Sequence, residues 1–475
     1  MQRGLGALLH ITSLAGTSDV GCFSDAYKFI DFLKSAGVKY WQVLAFGPTG
    51  YGDSPYAPLS VFALNPYFIA IDNPPKKQTK QSDKVNFGEL FVNKNRALKE
   101  LYKRGYDKAE FDAYVRDNKY WIESYATYMA IKCAHGNVGY LSLPKPFRDP
   151  KSAEVKAFIK LHKEEINYNI FVQMIAAKQW EAVKKYANQN GVKIIGDVPM
   201  YPAMDSGDVW AFNNQFEFAD GEPVNVAGVP PDYFSADGQF WGNPIYDFKK
   251  MSRDRYKWWM ERIKHTGKMF DVLRIDHFRA FDSYYKIPYG QTNAKVGVWA
   301  KGPGIKFFNI LNEAVPNLKL ILEDLGMLTK SVTDLRDATG YPGMRVMQFG
   351  FDGNSENEHL PDNYPKNCVA YIGTHDNDTF ASFLKNKQTR KHVDKYLHSS
   401  SLSTHQVTRL AFENIMASRA DIVVLCMQDL LFAGSAARMN TPGREGGNWQ
   451  YRIKPTALTP ELAAYLKMLV NRSGR

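Results

Sequence analysis

Short apolar runs, rich in β-branched and aromatic residues, recur along the chain, and helical patterns lie between them in its later part. Their nearly continuous hydrophobicity predicts strands buried on both faces, as in a parallel sheet covered by helices. The predicted strands are Lys39–Phe46, Tyr67–Asp72, Val192–Val198, Asp271–Phe278, Leu318–Gly326, Met344–Phe351, Cys368–Asp376 and Asp421–Leu431. The predicted helices are Ser24–Ala36, Ile166–Gly191, Arg255–Lys264, Phe307–Ala314, Ser331–Thr339 and His405–Arg419. Eight strands with crossover helices predict an α/β fold, a (β/α)8 TIM barrel.

Two long stretches interrupt the predicted barrel. Residues 73–190 are too many for a barrel loop and carry amphipathic patterns at Phe87–Arg104 and Phe111–Ala134, which predicts a mostly helical insertion. Residues 199–250 are rich in Pro, Gly, Asp and aromatic residues, which is typical of ordered loops. We therefore expect residues 1–475 to form one barrel domain with two insertions.

Composition and charge narrow the functional classes. Hydrophobic residues make up 44% of the chain and aromatic residues 14%, which supplies a core and argues against disorder. Lys and Arg (60) outnumber Asp and Glu (49), a net charge of +11 that raises the question of a polyanionic partner. The basic cluster Pro75–Lys84 is short and has no interleaved aromatics, which favours a solvated loop. We expect no nucleic-acid partner.

The cysteines and apolar segments bear on location. Cys22, Cys133, Cys368 and Cys426 are far apart and form no CxxC pair, so neither a zinc site nor a disulfide framework is indicated. The N-terminal segment lacks the continuous apolar stretch of a secretory signal, and no run of about 20 uncharged apolar residues occurs. We expect a cytoplasmic protein with no membrane partner.

Acidic residues lie at or near the C-terminal ends of five predicted strands: Asp197, Asp276, Glu323, Asp376 and Asp429. Side chains at that edge of a parallel barrel face the mouth, where barrel enzymes hold their active sites. One such acid alone is more often a helix cap or turn former. Five like charges on one rim repel one another unless a cation, metal or substrate balances them, so the set predicts a catalytic cluster.

Two chemistries use several carboxylates without a Cys nucleophile or an HExxH motif. One is metal-dependent transfer, with His375 beside Asp376 as mixed ligands. The other is glycosyl transfer, in which one carboxylate attacks the anomeric carbon and a second carboxyl protonates the leaving oxygen. Arg274 lies two residues before Asp276, hence on the same strand face, where a guanidinium keeps the carboxylate ionised. A metal site gains nothing from that cation, so glycosyl transfer is favoured.

Turn-rich segments with aromatic and polar residues add weight to the second chemistry. They are Tyr51–Tyr56, Asp232–Asn243 and Asn448–Tyr451. Sugar rings stack on flat aromatic side chains, while their hydroxyls need amides and carboxylates. Any single aromatic there is more often a packing residue, but together with the acids these segments indicate an extended carbohydrate cleft.

These residues stand in stretches that resemble glycoside hydrolase family 77 of the α-amylase clan, the amylomaltases or 4-α-glucanotransferases. The similarity runs from about Gly4 to Ile453 through LLHITSL, WQVLAFGPTGYGDSPY, GDVPMY, DSGDVWA, VAGVPPDYFSADGQFWGNPIYD, RIDHFRAF, LEDLG, PGMRVMQF, GTHDND, ARMNTPG and GNW. The resemblance implies a (β/α)8 barrel with insertions, in agreement with the pattern above. It also implies retaining transfer of a 1,4-α-glucan segment to the 4-hydroxyl of glucose or another glucan.

The resemblance assigns roles to individual residues. Asp276 resembles the catalytic nucleophile, Glu323 the general acid/base and Asp376 the third acid, which stabilises the distorted sugar through its hydroxyls. Residues that resemble the substrate-binding shell are Tyr56, Asp197, Asp232, Trp241, Arg274, Phe349, His375 and Asn448, with Tyr51 in a second glucan-binding patch. The loop Gly228–Ser235, within the second insertion, is expected to form a lid over the cleft.

The resemblance also implies the partners. We expect malto-oligosaccharides, amylose or glycogen-derived glucans as donors, glucose as an acceptor, no metal and no cofactor, in a monomer or homodimer. The competing hypotheses are an α-amylase-type hydrolase on the same barrel and a non-catalytic glucan-binding protein, and the three intact acids argue against the latter.

The chain departs from the usual family pattern at a few positions. Ala57 stands where Gln is common, Leu64 and Ala280 replace Gly, and Leu322 replaces Ala. None of these changes removes a catalytic carboxylate. We therefore expect the reaction class to be unchanged, and Ala57 to alter one sugar contact and with it the preferred donor or acceptor length.

Overall fold

The computed structural model describes residues 1–16, 18–72, 83–231, 237–326, 328–444 and 446–475. Within them the strands are β1 (Gly4–Leu8), β2 (Tyr40–Gln42), β3 (Lys193–Val198), β4 (Phe218–Ala219), β5 (Glu222–Pro223), β6 (Asn225–Val229), β7 (Gln239–Pro244), β8 (Val272–Ile275), β9 (Ser283–Pro288), β10 (Val298–Lys301), β11 (Lys319–Leu322), β12 (Gly343–Val346), β13 (Cys368–Tyr371) and β14 (Ile422–Cys426). The α-helices are α1 (Phe23–Ser35), α2 (Phe87–Lys103), α3 (Lys108–Asp117), α4 (Ile122–Ala134), α5 (Lys145–Arg148), α6 (Ala153–Leu161), α7 (Lys163–Gln189), α8 (Gly207–Ala211), α9 (Phe248–Met251), α10 (Lys257–Met269), α11 (Ile305–Ala314), α12 (Lys330–Thr339), α13 (Phe380–Phe383), α14 (Lys387–Leu397), α15 (Thr404–Ala417), α16 (Met427–Leu430) and α17 (Pro460–Ser473).

Eight of the strands close into a parallel barrel in the order β1, β14, β13, β12, β11, β8, β3, β2. Every residue of β1, β8, β12, β13 and β14 is buried. Strands buried on both faces need helices outside the barrel. Along the chain, helices alternate with the barrel strands, from α1 after β1 to α17 after β14. The predicted (β/α)8 fold is confirmed, and all six predicted helices form with shifts of a few residues at their ends.

One of the eight predicted strands is wrong, and the barrel contains a different strand in its place. Tyr67–Asp72 forms no strand, because a 3-10 turn occupies Pro66–Phe68 and the Asn65 side chain accepts a hydrogen bond from a backbone N–H of that turn. The eighth strand of the barrel is instead β1, which pairs with β14 and β2. Its two glycines give a weak strand signal. They are nevertheless packed closely, since a Cβ at Gly6 would lie 3.1 Å from a Val424 methyl carbon.

The stretch between β2 and β3 contains helices α2 to α7, as its amphipathic patterns predicted. The pattern over Phe111–Ala134 is divided, since α3 ends at Asp117 and α4 begins at Ile122. Asp205, in the loop after β3, accepts hydrogen bonds from Tyr128 and Lys132 of α4 and so fastens these helices to the barrel. The basic cluster Pro75–Lys84 lies almost wholly outside the described residues. The division into one domain with two insertions stays a prediction.

A four-stranded antiparallel sheet in the order β10, β9, β6, β7 stands beside the barrel. It combines strands from the segment after β3 with strands from the segment after β8, which the sequence pattern did not predict. Its own small core consists of Val226, Tyr285, Ile287 and Ala294. No helix in the described parts of the chain is long and apolar enough to cross a membrane.

Gly196, in the middle of β3, offers a test of barrel packing. A Cβ at this position would lie 2.3 Å from ring atoms of Phe270, so Gly196→Ala forces the ring to move within a filled core. We expect a loss of stability of about 1–3 kcal/mol in chemical denaturation. Gly88→Ala is the matched control, because Gly88 lies in α2 with no atom closer than 3.6 Å, and it should be neutral or stabilising. Equal stability of both variants would contradict this packing.

Candidate active site

Four of the five predicted acids meet at the C-terminal mouth of the barrel. Asp197 is the fifth residue of β3, Asp276 follows β8 directly, Glu323 follows β11 directly, and Asp376 lies in the turn after β13. The charges of Asp197 and Asp376 act on the carboxyl of Asp276, whose own charge acts on Glu323. The predicted acidic cluster therefore forms from four different strands.

Arg274 is the buried cation of this cluster. The parallel pairing of β3 with β8 sets Asp197 directly opposite Arg274, and one guanidinium nitrogen lies 2.8 Å from both carboxylate oxygens of Asp197. The same nitrogen lies 3.0 Å from Oδ1 of Asp276. Tyr56 donates a hydrogen bond of 2.7 Å to Oδ2 of Asp197. The Arg-x-Asp spacing places both side chains on one strand face, as predicted.

Asp276 and Glu323 lie in different electrostatic environments. Burial raises the pKa of Asp276, while the adjacent Arg274 guanidinium opposes this rise and favours the ionised form. Burial and the negative charge of Asp276 raise the pKa of Glu323, which makes no ion pair with Arg274. Asp276 is therefore the carboxyl that is ionised first, and Glu323 the one that retains its proton to higher pH.

Backbone N–H groups hold Glu323 in place. His277 donates to Oε2 at 2.7 Å and Leu325 donates to Oε1 at 3.1 Å. His277 adopts a left-handed conformation with φ of 49°, which is strained for a residue with a side chain. This conformation directs its N–H to Glu323 and places its ring against Trp241, edge to face, at 4.8 Å. The predicted residue Trp241 thus contacts the residue whose N–H binds Glu323.

Asp376 is held by two neighbouring groups. Its Oδ1 accepts a hydrogen bond of 2.6 Å from the Asn440 amide and lies 3.4 Å from Nε2 of His375. The His375 ring stacks on Tyr56 with centroids 5.0 Å apart, and Trp449 contacts both rings. Burial lowers the pKa of His375, which favours the neutral imidazole. His375 and Tyr56 therefore lie beside the acidic cluster, while their role in binding substrate stays a prediction.

The other predicted residues are less closely associated with the acids. Phe349 is 46% exposed in the turn after β12, with its ring near His359, and Tyr51 is fully exposed. The side-chain amide of Asn448 binds the backbone of its own loop, since its oxygen accepts from the Thr441 N–H and its nitrogen donates to the Arg444 carbonyl. These three side chains show no contact with the four acids among the described residues. Asp232, and with it the second half of the predicted lid Gly228–Ser235, lies outside the described residues.

Asp429 does not join the acidic cluster, which corrects the expectation for the fifth acid. It lies in α16 and is buried, and its carboxylate accepts a hydrogen bond of 2.7 Å from the backbone N–H of Phe380. Burial raises its pKa to about 7. Asp429 thus caps the start of α13, the structural role that a lone acid at a strand end usually has.

Sequence reasoning missed the residues that support Asp376. Arg438 donates to the backbone carbonyls of Asp376, at 2.5 Å, and of Asn440, at 2.7 Å. The matching stretches ARMNTPG and GNW contain Arg438, Asn440 and Trp449 and were the available signal. No group of three or more His, Cys, Asp or Glu side chains in the described ranges is arranged to hold a metal ion.

A (β/α)8 barrel with a cation-paired carboxylate beside a carboxyl of raised pKa has the groups that an enzyme acting on glycosidic bonds requires. The sequence profile of 4-alpha-glucanotransferases, glycoside hydrolase family 77, matches residues 9–459. The chain therefore belongs to the 4-alpha-glucanotransferase family, and its reaction is the transfer of glucan segments.

Individual relatives span the whole chain. A 4-alpha-glucanotransferase of Clostridium butyricum is 39% identical over 485 residues and covers 98% of this chain and 100% of the relative. One of Thermus thermophilus is 38% identical over 501 residues and covers 100% of this chain and 99% of the relative. The solved structure of amylomaltase from Streptococcus agalactiae in complex with acarbose has a TM-score of 0.96 and 33% identity, with 100% of both chains covered.

The raised pKa of Glu323 predicts a pH-dependent stability cost. The folded protein binds this proton more tightly than the unfolded chain, so the cost is absent below the ordinary Glu pKa of about 4.3 and grows as pH rises towards the folded value. Glu323→Gln removes the cost but loses one backbone hydrogen bond at every pH. We expect its melting temperature to rise relative to the native protein as pH increases through this window.

Calorimetric melts at several pH values between 5 and 9 would measure this difference. The matched control is Glu356→Gln at an exposed position, which gives the baseline melting-temperature difference for a Glu-to-Gln change. A Glu323→Gln difference that is constant across the same range would contradict the assigned pKa direction.

Proposed function

We propose that this chain transfers 1,4-α-glucan segments by double displacement with Asp276 as the nucleophile and Glu323 as the acid and base. In the first step Asp276 bonds to the anomeric carbon while Glu323 gives its proton to the departing glycosidic oxygen. In the second step Glu323 takes the proton from the 4-hydroxyl of the acceptor, whose oxygen displaces Asp276. Two inversions return the α configuration.

One observation carries this assignment, namely the unequal environments of the two carboxyls. The nucleophile must be ionised, and Asp276 lies 3.0 Å from the Arg274 guanidinium. The acid must be protonated, and burial together with the charge of Asp276 keeps the proton on Glu323. The reverse assignment would require Glu323 to lose its proton first, against both effects.

The surrounding residues are proposed to bind the sugar at the cleavage point. Asp376 is partly exposed and is proposed to accept hydroxyls of the distorted sugar, while Tyr56 and His375 provide a stacked aromatic wall. Arg274 and Asp197 hold the nucleophile. Asp232, Phe349, Asn448 and Tyr51 are proposed to contact more distant glucose units.

The relatives are 4-alpha-glucanotransferases, which supports α-glucans as the substrate class. We propose malto-oligosaccharides, amylose or glycogen-derived glucans as donors, with glucose or a second glucan as the acceptor. The four cysteines are all unpaired, which supports a reducing, cytoplasmic environment.

Maltotriose products test the proposed reaction and the role of Asp276. Transfer yields glucose together with chains longer than maltotriose, whereas hydrolysis yields only shorter sugars. Asp276→Asn keeps the size of the side chain but removes the nucleophile, so we expect both kinds of product to fall by at least about 10³-fold. Chromatographic analysis of the products would measure this. Glucose and maltose without longer chains from the native enzyme would indicate a hydrolase instead.

Trp241 is proposed to keep water from the covalent intermediate, because its indole stands against His277 beside the catalytic pair. Trp241→Ala should therefore raise the ratio of hydrolysis to transfer several-fold while cleavage continues. Reducing-sugar release and glucose release from maltotriose, compared over time, give the ratio. Phe91→Ala is the control, because Phe91 is an exposed aromatic on α2. An unchanged ratio in Trp241→Ala would contradict the shielding role.

A further inference from the structure

Asp376 has one oxygen engaged and one available. Oδ1 accepts the 2.6 Å hydrogen bond from Asn440 and lies near Nε2 of His375. Oδ2 accepts no hydrogen bond from any described residue, and the side chain is 42% exposed. The charge of Asp376 nevertheless reaches the carboxyl of Asp276. The engaged oxygen therefore determines where the available oxygen points.

The backbone that carries the Asn440 side chain is held by several hydrogen bonds. The backbone N–H of Asn440 donates to the carbonyl of His375 at 3.0 Å, and Arg438 clamps the carbonyls of Asn440 and Asp376 together. The neighbouring Met439 is buried, and its backbone carbonyl accepts a hydrogen bond of 2.7 Å from the backbone N–H of Trp449. Because this backbone is fixed relative to Asp376, the short Asn440 side chain reaches Oδ1 from one side, and its N–H favours one orientation of the carboxylate.

We propose that Asn440 is a positioning residue that orients Asp376 for the transition state of glucan transfer. An amide N–H donates without adding charge, so Asn440 fixes Oδ1 and leaves Oδ2 free to accept hydroxyls of the distorted sugar. The proposal rests on the proposed role of Asp376. It gives the ARMNTPG segment a function in the reaction, in addition to packing against the turn after β13.

A purely structural role would consist of docking this segment onto the turn after β13. The chain offers a control for that role, because Ser435 also joins the two segments through a 2.7 Å hydrogen bond to Asp378. Ser435→Ala removes a contact between the same segments but leaves Asp376 untouched. Asn440→Ala removes the contact to Asp376 itself.

The experiment compares kcat and KM on maltotriose for these two variants and Asn440→Asp, after thermal melts confirm folding. We expect Asn440→Ala to lower kcat by about 10- to 100-fold, the effect of one hydrogen bond to a charged group, with a smaller change in KM. Ser435→Ala should remain within about twofold of the native enzyme. A kcat of Asn440→Ala within twofold of native, or an equal loss in Ser435→Ala, would overturn the proposal.

Asn440→Asp adds a readout that loop docking cannot mimic. Two carboxyls in contact share one proton at intermediate pH, where the introduced group still donates to Asp376, and repel each other once that proton is lost. We therefore expect activity near native at the lower pH and a fall to the Asn440→Ala level at higher pH, so the alkaline limb moves to lower pH. A pH profile of native shape would overturn the proposal.

Failure of this proposal is distinguishable from failure of the proposed function. If the native enzyme elongates maltotriose and Asp276→Asn does not, the reaction and its nucleophile stand whatever the Asn440 variants show. If the native enzyme forms no longer chains, the proposed function fails first, and the role of Asn440 in glucan transfer fails with it.

Discussion

The site depends on one buried guanidinium. Arg274 contacts Asp197 and Asp276, with separations of 2.8 and 3.0 Å, in a position where little water can screen the attraction. Removing one partner of such a buried pair typically costs about 3–5 kcal/mol, because the remaining charge is left uncompensated. The register between β3 and β8 sets Arg274 against Asp197, so the backbone hydrogen bonds of the barrel determine where this charge stands. The same group favours the ionised form of Asp276 and orients its carboxylate.

The electrostatics of the second carboxyl follow from the first. Once Asp276 is held as an anion, its negative charge adds to burial and keeps the proton on Glu323. One cation paired with only one of two buried carboxyls thus helps to separate their pKa values. The backbone contributes strain as well, since the left-handed His277 directs its N–H towards Glu323. The surrounding barrel core must offset the cost of these arrangements.

Much of the fold and the convergence of four acids could be predicted because both rest on local patterns. Buried parallel strands appear as short apolar runs, and an acid after such a run points to the barrel mouth. The failures have physical causes. Gly6 made β1 look unlike a strand although the barrel needs a small residue there, and Asn65 turned the apolar run at Tyr67–Asp72 into a 3-10 turn. Asp429, like Asp276, lies at the end of a predicted strand, but its carboxylate accepts a hydrogen bond from the backbone N–H of Phe380.

The acids can be located from the sequence, whereas some of the residues that hydrogen-bond to them can be located only from the structure. Asp276 and Glu323 are placed by the strands that precede them, so their position is encoded within a few residues. Asn440 acts on Asp376 across 64 positions of sequence, through a loop whose course depends on Arg438 and on Trp449. No periodicity marks such a contact, because it arises only when the C-terminal segment closes against the turn after β13. The chemistry of the site is therefore visible in the strand ends, whereas its precision depends on tertiary contacts that only the assembled barrel provides.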